Sequence, residues 1–419
     1  MQRTPLHVAI VGYGTAGQAA AALLAGDGHR VEVFERAPEL GPVGAGFLLQ
    51  PTGLQVLWEM GLLPQALAHG RRIHRLFGQT PCGRTVMDMR YAPLDRRLFG
   101  LGMQRGALFS LLAQAWEGFG GVHCGTRIVQ ISQDTRKVRD DTGRWHGPFD
   151  LVIAADGSAS ALRAATGGVR IDTPYPWGAL WCLLPQGDWA WPDELRQRYV
   201  AARKMIGMLP VGTRPGEDTP RVSFFWSLPA EGFARWEYAG LQAWREEVIA
   251  LWPALEAPLQ QVQASTQLAR AGYRDAVMRH WHRDRLVLLG DAAHAMSPQL
   301  GQGVNMALLD AMALRDALRA EREVPTALAR YQRERSAHVA IYHFWSRWLT
   351  PLFQSERDTA ARLRDVAFLP MGRLPGGRGH MLRVLSGTQR GYFGRWPLAP
   401  AFLEAIDSAR ITGPDSPTS

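Results

Sequence analysis

The chain has 419 residues, 46% hydrophobic and 20% charged, enough for two or three domains or lobes of a soluble globular protein. Its net charge of +9 comes almost wholly from arginine, since Lys137 and Lys204 are the only lysines, and the arginines alternate with acids instead of forming a basic run. That argues against nucleic acid as a partner and leaves local attraction for phosphate-bearing cofactors as a sufficient reading. No apolar run reaches the roughly 18 residues of a membrane span. Cys82, Cys124 and Cys182 form neither a C-x-x-C pair nor a metal spacing, so reduced thiols and a cytoplasmic location are expected, with no metal site.

His7–Val11 is a short apolar run, followed by Gly12, Gly14 and Gly17 in the spacing G-x-G-x-x-G. An alanine- and leucine-rich stretch from Thr15 to Ala25 predicts a helix, and Val31–Phe34 a second strand that ends at Glu35. Strand, glycine turn, helix, strand and acid make a dinucleotide-binding unit. Gly12 permits the tight turn, Gly14 the approach of a pyrophosphate, and Gly17 close packing of the helix on the sheet. Glu35 falls about 20 residues on, where a carboxylate accepts from ribose hydroxyls. A secretory leader is the rival reading of this end, and the spaced glycines and Glu35 fit it poorly.

Gly41, Gly44, Ala45 and Gly46 form a flexible stretch that either passes close to a flat ligand or is an ordinary loop. Leu54–Leu63 predicts a helix, 71–100 a strand-rich segment, and a further helix begins near Gly106. Arg105, just before it, is either a surface charge or a phosphate or flavin contact. Hairpin strands are expected over 121–150. Asp150–Asp156, DLVIAAD, reads as a strand of a buried parallel sheet, with Asp156-Gly157 at its end and Ser158, Ser160 and Arg163 following.

From about Ile171 to Gln267 eight tryptophans crowd a region with strands at 178–184 and 221–228. They suit core packing, or an aromatic wall for a flat organic substrate. Arg285–Leu289 is a further buried strand, running into Gly290, Asp291 and His294, then Pro298, Gly301 and Gly303, and a helix from about Gly303. His294 reads as a packed or capping residue, with a catalytic role as the alternative. Beyond Arg315 the chain is mainly helical. Trp345, Trp348 and Phe353 among arginines suit packing across the nucleotide unit, with contact to a membrane surface as the alternative. The last eight or so residues are expected to be disordered.

Three separated motifs carry a resemblance. The chain resembles the class A flavoprotein monooxygenases, the family of para-hydroxybenzoate hydroxylase and salicylate hydroxylase. The first family motif matches at Gly12, Gly14, Gly17 and Glu35. The second, G-A-D-G with a downstream serine and arginine, matches at Ala154–Gly157, Ser160 and Arg163, with Ala154 where glycine is usual. The third, G-D-A-A-H-x-x-x-P-x-x-G-Q-G-x-N, matches from Gly290 to Asn305. The Gly44–Gly46 loop and Arg105 also fit the pattern.

The resemblance implies an α/β protein: a Rossmann-like FAD-binding domain (1–70, 101–170 and 271–345), interleaved with a β-sheet substrate domain (71–100 and 171–270). A helical region, 346–419, follows. It implies non-covalent FAD. Gly12, Gly14, Ala16 and Gly17 would serve the pyrophosphate, and Glu35 with Arg36 the adenosine ribose. Gly46 and Arg105 would contact the FAD. Asp156 would serve both FAD and the nicotinamide cofactor. Asp291 would serve the ribityl–pyrophosphate region, and Pro298, Gly301, Gly303, Val304 and Asn305 the isoalloxazine. NADH or NADPH would act as a transient reductant and O2 as co-substrate. A flavin C4a-hydroperoxide would hydroxylate a small aromatic or heteroaromatic ring in an apolar pocket supplied by the tryptophan-rich region. No acid–base residue is singled out. The alternatives are a flavin-dependent reductase or dehydrogenase of the same fold, a non-catalytic flavin-binding protein, and a flavin-dependent halogenase. The last needs an N-terminal lysine, and none precedes Lys137.

Overall fold

A computed structural model describes residues 4–42, 44–371 and 376–411; the expected disordered tail lies outside them. The strand His7–Val11 pairs in parallel with Arg30–Phe34 on one side and Leu151–Ala154 on the other, and Leu151–Ala154 with Leu286–Leu288. With Val122–His123 and His282–Arg283 at the two edges they make a six-stranded sheet. Apart from His7 the strands His7–Val11, Leu151–Ala154 and Leu286–Leu288 are buried, as parallel strands covered on both faces must be. Helices Thr15–Gly26 and Gly303–Ala320 pack against each other beside this sheet. The first of these is buried over most of its length because its alanines let neighbouring elements come close.

A second, seven-stranded sheet runs in the order 269–278, 169–185, 221–229, 204–212, 194–200, 75–79, 85–90. It is antiparallel except for the pairing of 194–200 with 75–79. The strands at 75–79 and 85–90 therefore join strands more than a hundred residues downstream. A three-stranded sheet of Gly46–Leu49, Gly100–Gln104 and Arg71–Ile73 packs against the strands 204–212 and 221–229 of the seven-stranded sheet.

The expected hairpins are present at Ile128–Ser132, Lys137–Asp140 and Trp145–His146. The helix expected at 54–63 is instead two, Pro51–Glu59 and Leu63–His69. Gly61, in the left-handed region at φ +74°, breaks the run, and Pro64 suits the opening turn of the second helix. The C-terminal part is helical over Val324–Phe353, Asp358–Met371, Gly377–Leu385 and Pro400–Ile411, with an unforeseen small hairpin of Gln389–Arg390 and Gly394–Arg395.

Most of the tryptophans are core. Trp189, Trp226, Trp236, Trp244 and Trp252 pack with Leu180, Phe224 and Val248 between the seven-stranded sheet and the helix Gly232–Leu251. Strand alternation puts Trp181 on the opposite face, beside the cluster of Tyr199, Met205, Phe225, Leu349 and Phe353. The first five are core, as the packing reading expects, while Trp177 shares the face of Trp181.

Candidate functional site

The glycines of the first turn have different physical reasons. Gly12 has φ +102°, and a Cβ there would lie 2.4 Å from the Ala155 carbonyl oxygen. A Cβ at Gly17 would lie 2.0 Å from the Gly12 oxygen. Gly12 is demanded by the close approach of the neighbouring strand end at Ala155, and Gly17 by packing of the helix on the glycine turn. Gly14 has no atom within 4 Å of such a Cβ and borders an open cleft of about 360 Å³. The helix Thr15–Gly26 starts there with no side-chain cap, so its first N–H groups remain available to an anion.

Gly12, Gly14, Glu35, Arg36, Arg105 and Asp156 all line that cleft. Glu35 is held in place by the Tyr13 N–H, which donates to Oε2 at 2.7 Å, and the Ala37 N–H, which donates to Oε1 at 2.9 Å. Each oxygen keeps capacity for a further donor. Asp156 accepts from the Ala161 N–H through Oδ2 at 2.8 Å, while its buried Oδ1 has no partner among the described residues. Arg105 opens onto the cleft, with protein on its other sides. Burial pulls its pKa below the usual guanidinium range, opposed by Asp291 and Tyr273. It makes no ion pair or side-chain hydrogen bond among the described residues; its guanidinium carbon sits 5.9 Å from the Phe47 ring centre.

The remaining expected residues surround the cleft instead of lining it. Ala16 is buried against the Gly290 turn, where a Cβ on Gly290 would come within 3.2 Å of its methyl. Gly46 is required by the seven-stranded sheet, since a Cβ would fall 2.6 Å from Val211 and 2.8 Å from Ser223. Asp291 is exposed at the Gly290 turn. Pro298 opens a single helical turn that ends at Gly301, in the left-handed region at φ +61°. Gly303 begins the following helix, 3.9 Å in Cβ terms from Asp291 Oδ1. Val304 is buried in the main core. Asn305 is wholly buried: its Oδ1 accepts from the Gln50 N–H at 2.8 Å and its Nδ2 donates to the Leu48 oxygen at 3.4 Å. The Asn305 side chain thus ties the end of the strand Gly46–Leu49 to the helix.

Two buried arginines with no local sequence cue to their partners hold these turns together. Arg163, 1% exposed, donates to the Ser158, Asp291 and Ala292 carbonyls at 2.8, 2.9 and 2.8 Å and to Asp172 at 2.7 Å. Arg335 donates to Asp310 at 2.7 Å, and Asp310 accepts from the Gly290 N–H at 2.8 Å and bonds His294 Nε2 at 2.6 Å. Burial alone would raise the Asp310 pKa; His294 and Arg335 hold it down to about 2. Arg335 also donates to His338, whose Nε2 meets the Gly387 oxygen at 2.9 Å and whose ring stacks on Trp396 at 4.9 Å. His294 is buried and packed in this network.

Against the Pro298 turn lies an aromatic and polar group from the seven-stranded sheet. Trp181 Nε1 donates to the Tyr273 hydroxyl at 3.2 Å. Tyr175 donates to Gln354 at 2.9 Å and accepts from Gln299 at 3.2 Å. Burial raises the Tyr273 pKa, partly offset by the Trp181 bond and by Arg105. Nothing local marked these tyrosines in the sequence; the register between 169–185 and 269–278 brings them together.

A family model described as an FAD binding domain matches residues 5–343. The chain belongs to this FAD-binding family. Its relatives include the FAD-dependent urate hydroxylase of Klebsiella oxytoca, 28% identical over 79% of this chain and 86% of that one. They also include the aurachin C monooxygenase/isomerase of Stigmatella aurantiaca, 30% identical over 79% of this chain and 85% of the other. The fold matches the crystal structure of Klebsiella pneumoniae HpxO in complex with FAD and uric acid, with TM-score 0.77 and 24% identity over 91% of this chain and 97% of that one.

The protein is thus a class A flavoprotein and an FAD-dependent monooxygenase. Its cleft fits FAD on three counts. The uncapped helix start and the space at Gly14 suit a pyrophosphate, the unpaired Arg105 suits an anion, and the fixed Glu35 carboxylate suits ribose hydroxyls.

Proposed function

We propose that the protein is an NAD(P)H-consuming hydroxylase of small aromatic or heteroaromatic molecules. FAD would lie non-covalently with its adenosine ribose on Glu35 and Arg36 and its pyrophosphate at Gly12–Gly17. Arg105, Asp156 and Asp291 would serve its middle, and the turn from Pro298 through Gly303 its ring. The flavin, when bound and reduced by NADH or NADPH, supplies the activation of O2. In this reading 1–70, 101–170 and 271–345 form the FAD-binding unit and 71–100 with 171–270 the substrate unit. A cytoplasmic location suits a consumer of NAD(P)H.

The chain's own groups then orient and shield. The substrate ring would rest beside Trp181 and Tyr273, on the face of the seven-stranded sheet turned toward the Pro298 segment. The Tyr273 hydroxyl already accepts from Trp181, which leaves its proton to donate to a substrate oxygen. The neighbouring apolar residues Phe225, Leu300 and Leu349 help keep water out.

The observation that carries the reading is the unpaired Arg105 in a cleft shared with Glu35 and Asp156, in a family of FAD-dependent aromatic monooxygenases. The test follows NADH and NADPH oxidation in air by the FAD-loaded protein. A panel of phenols, indoles and quinolones is supplied, and hydrogen peroxide is measured alongside. One compound should stimulate oxidation, with little peroxide and a product heavier by one oxygen atom. Flavin reduction with no oxygenated product from any compound would favour the reductase reading.

A further inference from the structure

The small C-terminal hairpin carries an exposed aromatic tip. Tyr392 is 63% and Phe393 99% exposed, in the run Arg390-Gly391-Tyr392-Phe393-Gly394-Arg395. The patch continues onto the helix Val324–Phe353. The Tyr392 ring meets Phe344 at 5.9 Å, Phe344 meets Trp345 at 5.4 Å, and Trp345 meets Trp348 at 5.4 Å. Phe344 and Trp348 are themselves exposed. Scattered surface aromatics need no explanation, but a contiguous group does.

Charge identifies what the group faces. From Val366 to Leu403 the sequence has no aspartate or glutamate, yet it carries Arg373, Arg378, Arg383, Arg390 and Arg395. Arg390 and Arg395 bracket the tip, and neither they nor Arg383 forms an ion pair among the described residues; Arg383 donates to Gln389 at 2.8 Å. Arg395 sits close enough to Arg383 to help push its pKa down. A protruding aromatic tip ringed by free guanidinium groups matches the interface of an anionic bilayer: rings enter the headgroup layer and arginines meet phosphates. Two copies of this face across a two-fold axis would instead set like charges together, with no acid in the segment to receive them.

We propose that this face docks the protein reversibly on anionic lipid surfaces, through Tyr392 and Phe393 with Arg390 and Arg395. No helix among the described residues is long and apolar enough to cross a membrane, so the attachment is peripheral.

The FAD-loaded full chain is floated with vesicles of phosphatidylcholine and phosphatidylglycerol in equal parts, and with phosphatidylcholine alone. Binding should be at least tenfold stronger to the anionic vesicles and should weaken with salt. The pair Tyr392→Ser with Phe393→Ser, and the pair Arg390→Gln with Arg395→Gln, should each lose it at least tenfold while FAD content and melting temperature stay unchanged. Phe393→Ser alone is a second variant that disturbs no packing. No recovery with anionic vesicles, or recovery insensitive to all three variants, overturns the proposal. So does a dimer in sedimentation that the aromatic pair converts to monomer, which would make a second copy the occupant. So does oligonucleotide binding lost in these variants without vesicle binding.

Discussion

The guanidinium of Arg163 donates to the main-chain oxygen of Asp291 at 2.9 Å. An arginine from the second motif thereby sets the backbone of the third, 128 residues away, and the same side chain reaches Ser158, Ala292 and Asp172. Lysine cannot reproduce this fork. Arg163→Lys should lose about 3 kcal/mol of stability and show reduced FAD occupancy, read from urea unfolding and from the ratio of flavin to protein absorbance. Unchanged values in both would remove Arg163 from this positioning role.

Arg105 has no side-chain partner to lose among the described residues, so its removal separates binding from folding. Arg105→Gln should weaken FAD by about ten- to a hundredfold, the loss of one charge-assisted contact or two. The melting temperature of the FAD-free protein should hold or rise. Titration of that protein with FAD, followed by fluorescence, measures the first; a thermal melt, the second.

Gly14 and Gly17 should behave oppositely. A methyl at Gly14 enters open space, whereas one at Gly17 lies 2.0 Å from a carbonyl oxygen. Gly14→Ala should fold normally and bind FAD less tightly. Gly17→Ala should be destabilised by about 1–3 kcal/mol, the usual range for overpacking. Denaturant melts of both variants without FAD would expose an error in this assignment if they ranked the other way.

His343 predicts an acid-sensitive fold. Burial, with help from His294 and Arg347, drives its pKa down to about 3, and its Nδ1 has no hydrogen-bond partner among the described residues. Asp275 lies 4.0 Å away, but its carboxylate also receives Arg347 at 3.0 Å. A histidine with a depressed folded pKa contributes its stability above about pH 6.5 and loses it as pH falls toward 3, at about 1.4 kcal/mol per unit. Melting temperature should therefore drop between pH 7 and pH 5, and His343→Leu should flatten that slope. Parallel slopes would acquit His343.

Tyr273→Phe bears on the proposed substrate position. It removes one hydroxyl beside Arg105 and the Trp181 donor, and the ring remains. FAD affinity should hold, while kcat/KM for the stimulating compound falls at least tenfold. An unchanged kcat/KM would place the substrate elsewhere.

The sequence was most legible where chemistry is local. Gly12, Gly14 and Gly17, the buried run at 151–154 and the helix from Gly303 are signalled by steric demands that act within a few residues. What stayed hidden depends on distant pairing. The resemblance groups 71–100 with 171–270, but nothing in 75–90 itself says that the strand 75–79 pairs with 194–200. Asn305 looks the same in sequence whether it faces a ligand or clamps Gln50. Composition cannot tell a buried arginine such as Arg163 or Arg335 from a surface one. The tryptophans were visible as a group, but strand register alone decides which face of the sheet each takes.

The family match ends at residue 343, whereas the charge that anchors its third motif is roofed from beyond that point. Asp310 holds the Gly290 amide, Arg335 holds Asp310, and above Arg335 come His338, the Gly387 carbonyl and the Trp396 ring. A protein trimmed to residues 5–343 would open to water a guanidinium that has no solvent exposure, behind the Gly290 turn, so the last helices belong to the folding unit that builds this turn.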